Sequence, residues 1–271
     1  MNNIYSAFTG NIPENYDRYL GPLFFHPCAD DLAARIAEEQ AQQVLEIAAG
    51  TGIMTRCLRD RLTDEAHITA SDLNDDMLKH AQQKFSAIEN IHFQVADATA
   101  LPFEDQQFDV VASQFGIMFC ADKRQAFDEA HRVLCRGGRL LFSTWDALEH
   151  NPLPRVTNEM LAEFFDGDAP AFLQLPFSYH AQTQIQNDIE ESGFTDVQFI
   201  RLKGECVFPR PEDAAQGIVS GTPLGLEIEQ RGDATIDNVV NKVMARLKTV
   251  FGESDCRVPM RWTVVSARRE N

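Results

Sequence analysis

The chain is short of positive charge. Its 271 residues hold 24 lysines and arginines against 41 aspartates and glutamates, a formal net charge of −17. A surface of that sign repels nucleic-acid phosphates and anionic lipid, so neither nucleic acid nor a membrane surface is an expected partner. The basic pair Arg268 and Arg269 at the tail is expected to be solvated. No apolar run is long enough to cross a bilayer. The opening residues, MNNIYSAFTGNIPENYD, lack the basic start and apolar stretch of a secretory signal, so no membrane insertion and a cytoplasmic location are expected. The six cysteines, Cys28, Cys57, Cys120, Cys135, Cys206 and Cys256, include no C-x-x-C. They read as small buried hydrophobes, with neither a disulfide framework nor a metal site expected. Two nucleotide signatures are missing as well. There is no G-x-x-x-x-G-K-[ST], hence no P-loop lysine, and no complete G-x-G-x-x-G.

What is present centres on residues 44–52, VLEIAAGTG. An apolar, β-branched run suited to a buried parallel strand leads into a turn of small residues, and a helix-like run over 53–62 follows. Strand, tight turn and helix in that order bring backbone close to a ligand at the carboxyl edge of a sheet. Glu46 sits inside the apolar strand, where a carboxylate is costly without donors. It serves either to brace the turn or to meet a cationic group. Gly50 and Gly52 leave room for a ligand against the backbone.

Further strands end in candidate contacts. Residues 67–72, HITASD, finish in Asp72, and an acid at the tip of a second strand can grip ribose hydroxyls. Asn74 or Asp75 is expected to cap the next helix and leave Asp72 free. Residues 91–96 lead to Asp97 and Ala98. Residues 108–113 lead to Gln114 and Phe115. A helix over 122–134 is expected to stop at Arg136-Gly137-Gly138, before a fifth strand that ends in Trp145.

The pattern Glu46-x-Ala48-x-Gly50-Thr51-Gly52 resembles the first motif of class I S-adenosylmethionine-dependent methyltransferases, with Ala48 where that family usually has its first glycine. The stretches SDLNDDML, DATALPF, FDVVASQFGIMF and LCRGGRLLFSTW follow in the family's order and look most like its ubiquinone/menaquinone-biosynthesis, small-molecule type. The resemblance covers roughly residues 40–146. It implies an α/β fold, a Rossmann-like seven-stranded sheet of order 3-2-1-4-5-7-6 whose last strand is antiparallel. It implies S-adenosylmethionine as cofactor, S-adenosylhomocysteine as product, and a small-molecule acceptor of O, N or C type. The implied cofactor contacts are Tyr16, Glu46, Ala48, Gly50, Thr51, Gly52, Asp72, Leu73, Asp97, Ala98, Gln114 and Phe115. A protein that binds the cofactor without transferring the methyl, or a nucleotide- or NAD-dependent oxidoreductase, stands as the alternative.

The flanks fit one domain over 1–271. Residues 1–43 form an arm and first helix, with Tyr5, Phe8, Tyr16, Tyr19, Phe24 and Phe25 packing on the core or closing a lid. Gly21-Pro22 is expected to break the arm's helix. Residues 44–146 form the cofactor core, and 147–192 and 209–258 form helical cap insertions. His150, Tyr179, His180 and Tyr16 are the candidates to reach a pocket mouth, and no catalytic residue is assigned. Oligomeric state is left open.

Overall fold

Apolar strands, nearly all buried in the case of β1 (Gln43–Ile47) and β4 (Phe108–Gln114), form the centre of a seven-stranded sheet. The computed structural model describes residues 7–270, so Tyr5 lies outside the described residues. The other strands are β2 (His67–Asp72), β3 (Ile91–Val95), β5 (Leu134–Trp145), β6 (Phe194–Phe208) and β7 (Cys256–Arg269). Their order is β3-β2-β1-β4-β5-β7-β6, with β7 antiparallel to β5 and β6, as the resemblance implies. The order reverses between β1 and β4, and the carboxyl ends of those strands splay into a crevice.

Helices α1 (Ile12–Asn15) and α2 (His26–Glu38) precede the sheet. Helices α3 (Ile53–Arg61), α4 (Asp75–Gln82) and α5 (Lys123–Val133) connect its parallel strands. Helices α6 (Pro152–Phe164) and α7 (Gln182–Glu191) follow β5, while α8 (Pro211–Ser220), α9 (Leu224–Arg231) and α10 (Ile236–Phe251) fill the β6–β7 connection. Helix α9 has no counterpart among the sequence expectations. Among the described residues, no helix is long and apolar enough to cross a membrane.

Three local expectations are corrected. Gly21-Pro22 does not break the arm's helix. A π-helical segment, Tyr16–Phe25, joins α1 to α2 without interruption, and the His26 N–H reaches back five residues to the Gly21 carbonyl. The wider winding accommodates a proline, which has no N–H to give and whose ring clashes with an α-helical carbonyl four residues back. Arg136-Gly137-Gly138 does not stop α5. These residues lie within β5, where Gly137 has φ +76° and the β4–β5 register shifts between Phe108 and Val110. Arg269 is not simply solvated. Its Nη1 donates to the carbonyls of His131, Arg132 and Leu134 at 2.6–3.0 Å, which satisfies acceptors left open at the end of α5.

Helix α8 meets the π-helical segment through a glycine. A Cβ on Gly217 of α8 would lie 2.7 Å from the Tyr19 Cβ and 2.8 Å from a Leu20 methyl. Gly217→Ala is expected to destabilise the fold by about 1–3 kcal/mol, the usual range for overpacking. Urea unfolding followed by circular dichroism measures this, and an unchanged midpoint would mean that α8 is free to shift away.

Candidate active site

The crevice at the β1/β4 reversal is a cavity of about 250 Å³. The loop after β1 contributes Ala48 and Gly50, and the end of β2 and the loop after it contribute Asp72, Leu73 and Asn74. Asp97, Ala98 and Thr99 follow β3, and Gln114, Phe115 and Gly116 end or follow β4. Phe8 and Tyr16 of the arm close the cavity. Nine of the twelve residues expected to contact a cofactor therefore share one wall. Glu46 and Thr51 line a smaller recess of about 30 Å³ that shares Tyr16, Ala48, Gly50 and Gln114 with it. Gly52 lines neither. Its φ of +80° starts α3, and a Cβ there would meet the Ala81 Cβ of α4 at 3.0 Å, so it serves the α3–α4 contact.

Asp72 organises the wall. One carboxylate oxygen accepts the Gly50 N–H at 2.8 Å, and the other accepts the Asn74 N–H at 2.8 Å and its side-chain amide at 3.2 Å. Burial raises its pKa, although those donors pull the other way. The carboxylate lies in the cavity wall, where a ligand's hydroxyl groups can compete for its oxygens. Asn74 makes no side-chain cap on α4, contrary to expectation. Its Oδ1 instead accepts the Phe8 N–H at 3.2 Å and holds the arm. Asp97 is exposed, and one of its oxygens accepts the Thr99 N–H and hydroxyl at 2.8 and 2.7 Å. Leu73 is 54 % exposed beside the cavity, an apolar surface suited to a ligand's flat face.

The arm is fastened over the recess. Asp17 accepts the Thr51 hydroxyl at 2.9 Å and the Lys84 ammonium, and His80 Nε2 lies 3.5 Å away. Burial pushes the Asp17 carboxyl up, but these donors outweigh it and hold the pKa below the ordinary value. The Gln114 amide donates to the Phe25 carbonyl at 2.9 Å. Of the arm's Tyr16-Asp17-Arg18-Tyr19 run, Tyr16 faces the cavity and Asp17 forms the latch.

A second cavity, of about 90 Å³, adjoins the first and shares Phe8, Tyr16, Phe115 and Phe119 with it. Phe24, Trp145, Phe172 and Phe177 contribute further rings. Tyr179 does not reach either cavity, since its buried hydroxyl donates to Asp188 at 2.7 Å. His150 and His180 line a separate surface depression with Asp146 and Arg261. Among the described residues, no His/Cys/Asp/Glu cluster is suited to a metal. The sequence reading missed Asn74 and Cys120 on these walls, because each is set there by the loop path and not by a spacing.

A methyltransferase-domain family model matches residues 45–142. The ubiquinone/menaquinone biosynthesis C-methyltransferase UbiE of Enterobacter sp. (strain 638) is 32 % identical over 184 residues, 62 % of this chain and 72 % of the relative. The chain belongs to the class I S-adenosylmethionine-dependent methyltransferases of the small-molecule type. Solved structures agree on the fold. The YcgJ protein of Bacillus subtilis superposes with a TM-score of 0.57 at 17 % identity, over 89 % of this chain and 99 % of that one. Phosphoethanolamine N-methyltransferase 2 of Haemonchus contortus, solved with S-adenosylhomocysteine, gives 0.61 at 17 % identity, over 100 % of this chain and 61 % of that one.

In this methyltransferase the first motif keeps glycine geometry without the first glycine. Ala48 has φ +56°, a left-handed conformation that costs an L-residue about 1–2 kcal/mol. Its methyl fits because Gly116 has none: a Cβ on Gly116 would lie 2.4 Å from the Ala48 Cβ and 2.6 Å from the Ser113 hydroxyl. Gly116→Ala is expected to cripple folding or cofactor binding. Ala48→Gly is expected to be neutral or to stabilise by up to about 1 kcal/mol, since relief of strain opposes a more flexible unfolded chain. Thermal unfolding of both variants checks the contrast, which fails if Gly116→Ala is as stable as the parent.

Glu46 is fully buried, with one oxygen accepting the Thr55 hydroxyl at 2.6 Å. Burial pushes its pKa up to about 8 from 4.5, despite that bond. Below pH 4.5 both folded and unfolded chains hold this proton. As pH rises toward 8 the unfolded chain ionises while the folded one stays protonated, so stability falls across that window. The total loss is on the order of a few kcal/mol. Glu46→Gln is expected to flatten this part of the stability profile, measured by urea unfolding at pH 5 and pH 8. Parallel profiles for variant and parent would refute the assignment.

Proposed function

We propose that the larger cavity holds S-adenosylmethionine and that the adjoining apolar cavity seats the methyl acceptor. The observation that carries this is the junction of the two, where Tyr16 and Phe115 belong to both walls. The fit rests on this chain's own groups. The small loop residues Ala48 and Gly50 leave room, Asp72 brings a buried carboxylate to the wall, and among the described residues Glu46 is a buried acid without a cationic partner.

In this reading Asp72 takes the ribose hydroxyls, while Leu73, Asp97 and Ala98 surround the adenine. Glu46, with Thr51 beside it, receives the methionine ammonium. Gly50 and Ala48 offer backbone, Gly52 supports that turn from behind, and Gln114 and Phe115 flank the reacting end. When bound, the cofactor supplies a methyl group activated by positive sulfur, so the protein need not provide a covalent nucleophile. The protein aligns the two reactants and excludes water. Tyr16 and Phe8 form the inner surface of a lid that Asp17, Thr51 and Lys84 latch. Residues 1–43 then act as lid and first helix, 44–146 as cofactor core, and 147–192 with 209–258 as the cap over the acceptor. A net charge of −17 favours free small molecules over nucleic acid as partners.

Calorimetric titration with S-adenosylmethionine and S-adenosylhomocysteine tests the reading. Both are expected to bind, and Asp72→Ala is expected to weaken binding at least about tenfold, as loss of a charged hydrogen-bonding partner does. Because Glu46 starts protonated at neutral pH, binding is expected to release a proton, seen as a binding enthalpy that varies with the buffer's ionisation heat. A folded protein that gives no heat with either ligand would end this reading.

A further inference from the structure

Among the described residues, the apolar cavity offers nothing that can take a proton. Its only side chains with a polar group, among the described residues, are Tyr16, Thr222 and Trp145, whose indole N–H donates and cannot accept. The Thr222 hydroxyl already donates to the Ile218 carbonyl at 2.7 Å. Burial, with Asp72 and Asp17 nearby, raises the Tyr16 pKa far above its ordinary value, so this phenol does not act as a base. The nearest thiol, Cys120 on the cofactor side, is pushed up to about 11 by burial. A phenol or a carbon acid must lose a proton to become nucleophilic, and apolar surroundings make that loss harder, while a carboxylate, already ionised in water, would meet no cationic side chain among the described lining residues. A neutral amine carries its lone pair ready.

The rings supply a second argument. Phe115 stacks on Trp145 at 4.0 Å and 2°, Tyr16 on Phe25 at 4.7 Å and 12°, and Phe119 on Phe172 at 6.1 Å and 14°. Aromatic faces carry negative quadrupole charge and attract cations, most strongly where water is excluded. The field of a chain with net charge −17 acts in the same direction.

We propose that the acceptor is an amine taken as its neutral free base, and that the ring-lined cavity stabilises the ammonium product. This rests on the methyl-transfer reading above. The nitrogen lone pair forms the new C–N bond as the C–S bond breaks. The electron pair of that bond stays on sulfur, and the positive charge passes from sulfur to nitrogen. A tertiary amine has no proton to lose, and a secondary amine's product gives its proton to water after release.

The test begins without cofactor. Choline and its neutral isostere, 3,3-dimethylbutan-1-ol, are titrated into the full chain by calorimetry. Choline is expected to bind about tenfold tighter or more, as a desolvated cation on ring faces does. Trp145→Leu is expected to remove most of that preference, and Phe177→Leu provides a second variant should the first not fold. With S-adenosylmethionine present, kcat/KM for two amines of different basicity is expected to rise with pH to plateaus that follow each amine's own pKa. Equal or tighter binding of the neutral alcohol overturns the proposal, as does faster methylation of phenols or carboxylic acids than of amines. S-adenosylmethionine binding without a preference for choline sinks this inference alone. A choline preference without S-adenosylmethionine binding sinks the methyl-transfer reading instead.

Discussion

The carboxylate of Asp72 ties three loops into one wall. It accepts the Gly50 N–H from the turn after β1 and the Asn74 N–H from its own loop, and Asn74 in turn accepts the Phe8 N–H from the arm. The acid is almost fully buried, so these donors are what keep it from being a large uncompensated cost. The small-residue turn, the start of α4 and the arm are therefore held relative to one another by two side chains, Asp72 and Asn74. Removing Asp72 would leave several backbone donors without a partner as well as an acceptor missing from the cavity.

Around that wall the backbone is strained where it meets the cavity. Ala48 at φ +56° and Phe115 at φ +53° are both outside the conformations that L-residues prefer. Such strain persists only where the surroundings over-determine it. Ala48 is fixed by the turn and by the space above Gly116, and Phe115 by its stacking on Trp145. The second contact joins the end of β4 to the end of β5, so the ring that separates the two cavities is anchored from the sheet itself.

The arm meets its surroundings with polar groups on one side and apolar rings on the other. Asp17 faces Thr51, Lys84 and His80, while Phe24 and Phe25 line the apolar cavity. The π-helical winding of Tyr16–Phe25 changes the helical period and helps one short segment to present both faces. It also carries Pro22 through a stretch that an α-helix would have broken.

The sheet was legible in the sequence because its strands are apolar runs bounded by turns, and HITASD begins and ends where β2 does. The order 3-2-1-4-5-7-6 came from the resemblance of the motifs, not from the runs themselves. The tips of the strands were legible too, since a ligand at a carboxyl edge calls for small or acidic residues there. Asp72, Asp97 and Ala98 all reach the cavity for that reason. What the sequence by itself determined is thus the layered α/β core and the places along the chain where a ligand can approach backbone. Only the tertiary structure decided which side chains remain available. Thr51 turns to the Asp17 latch, Gly52 packs on α4, Asn74 holds the arm, and Gly116 yields its space to Ala48. Local periodicity carries the elements, whereas each of these roles depends on a partner tens of residues away or on a loop path that no spacing encodes.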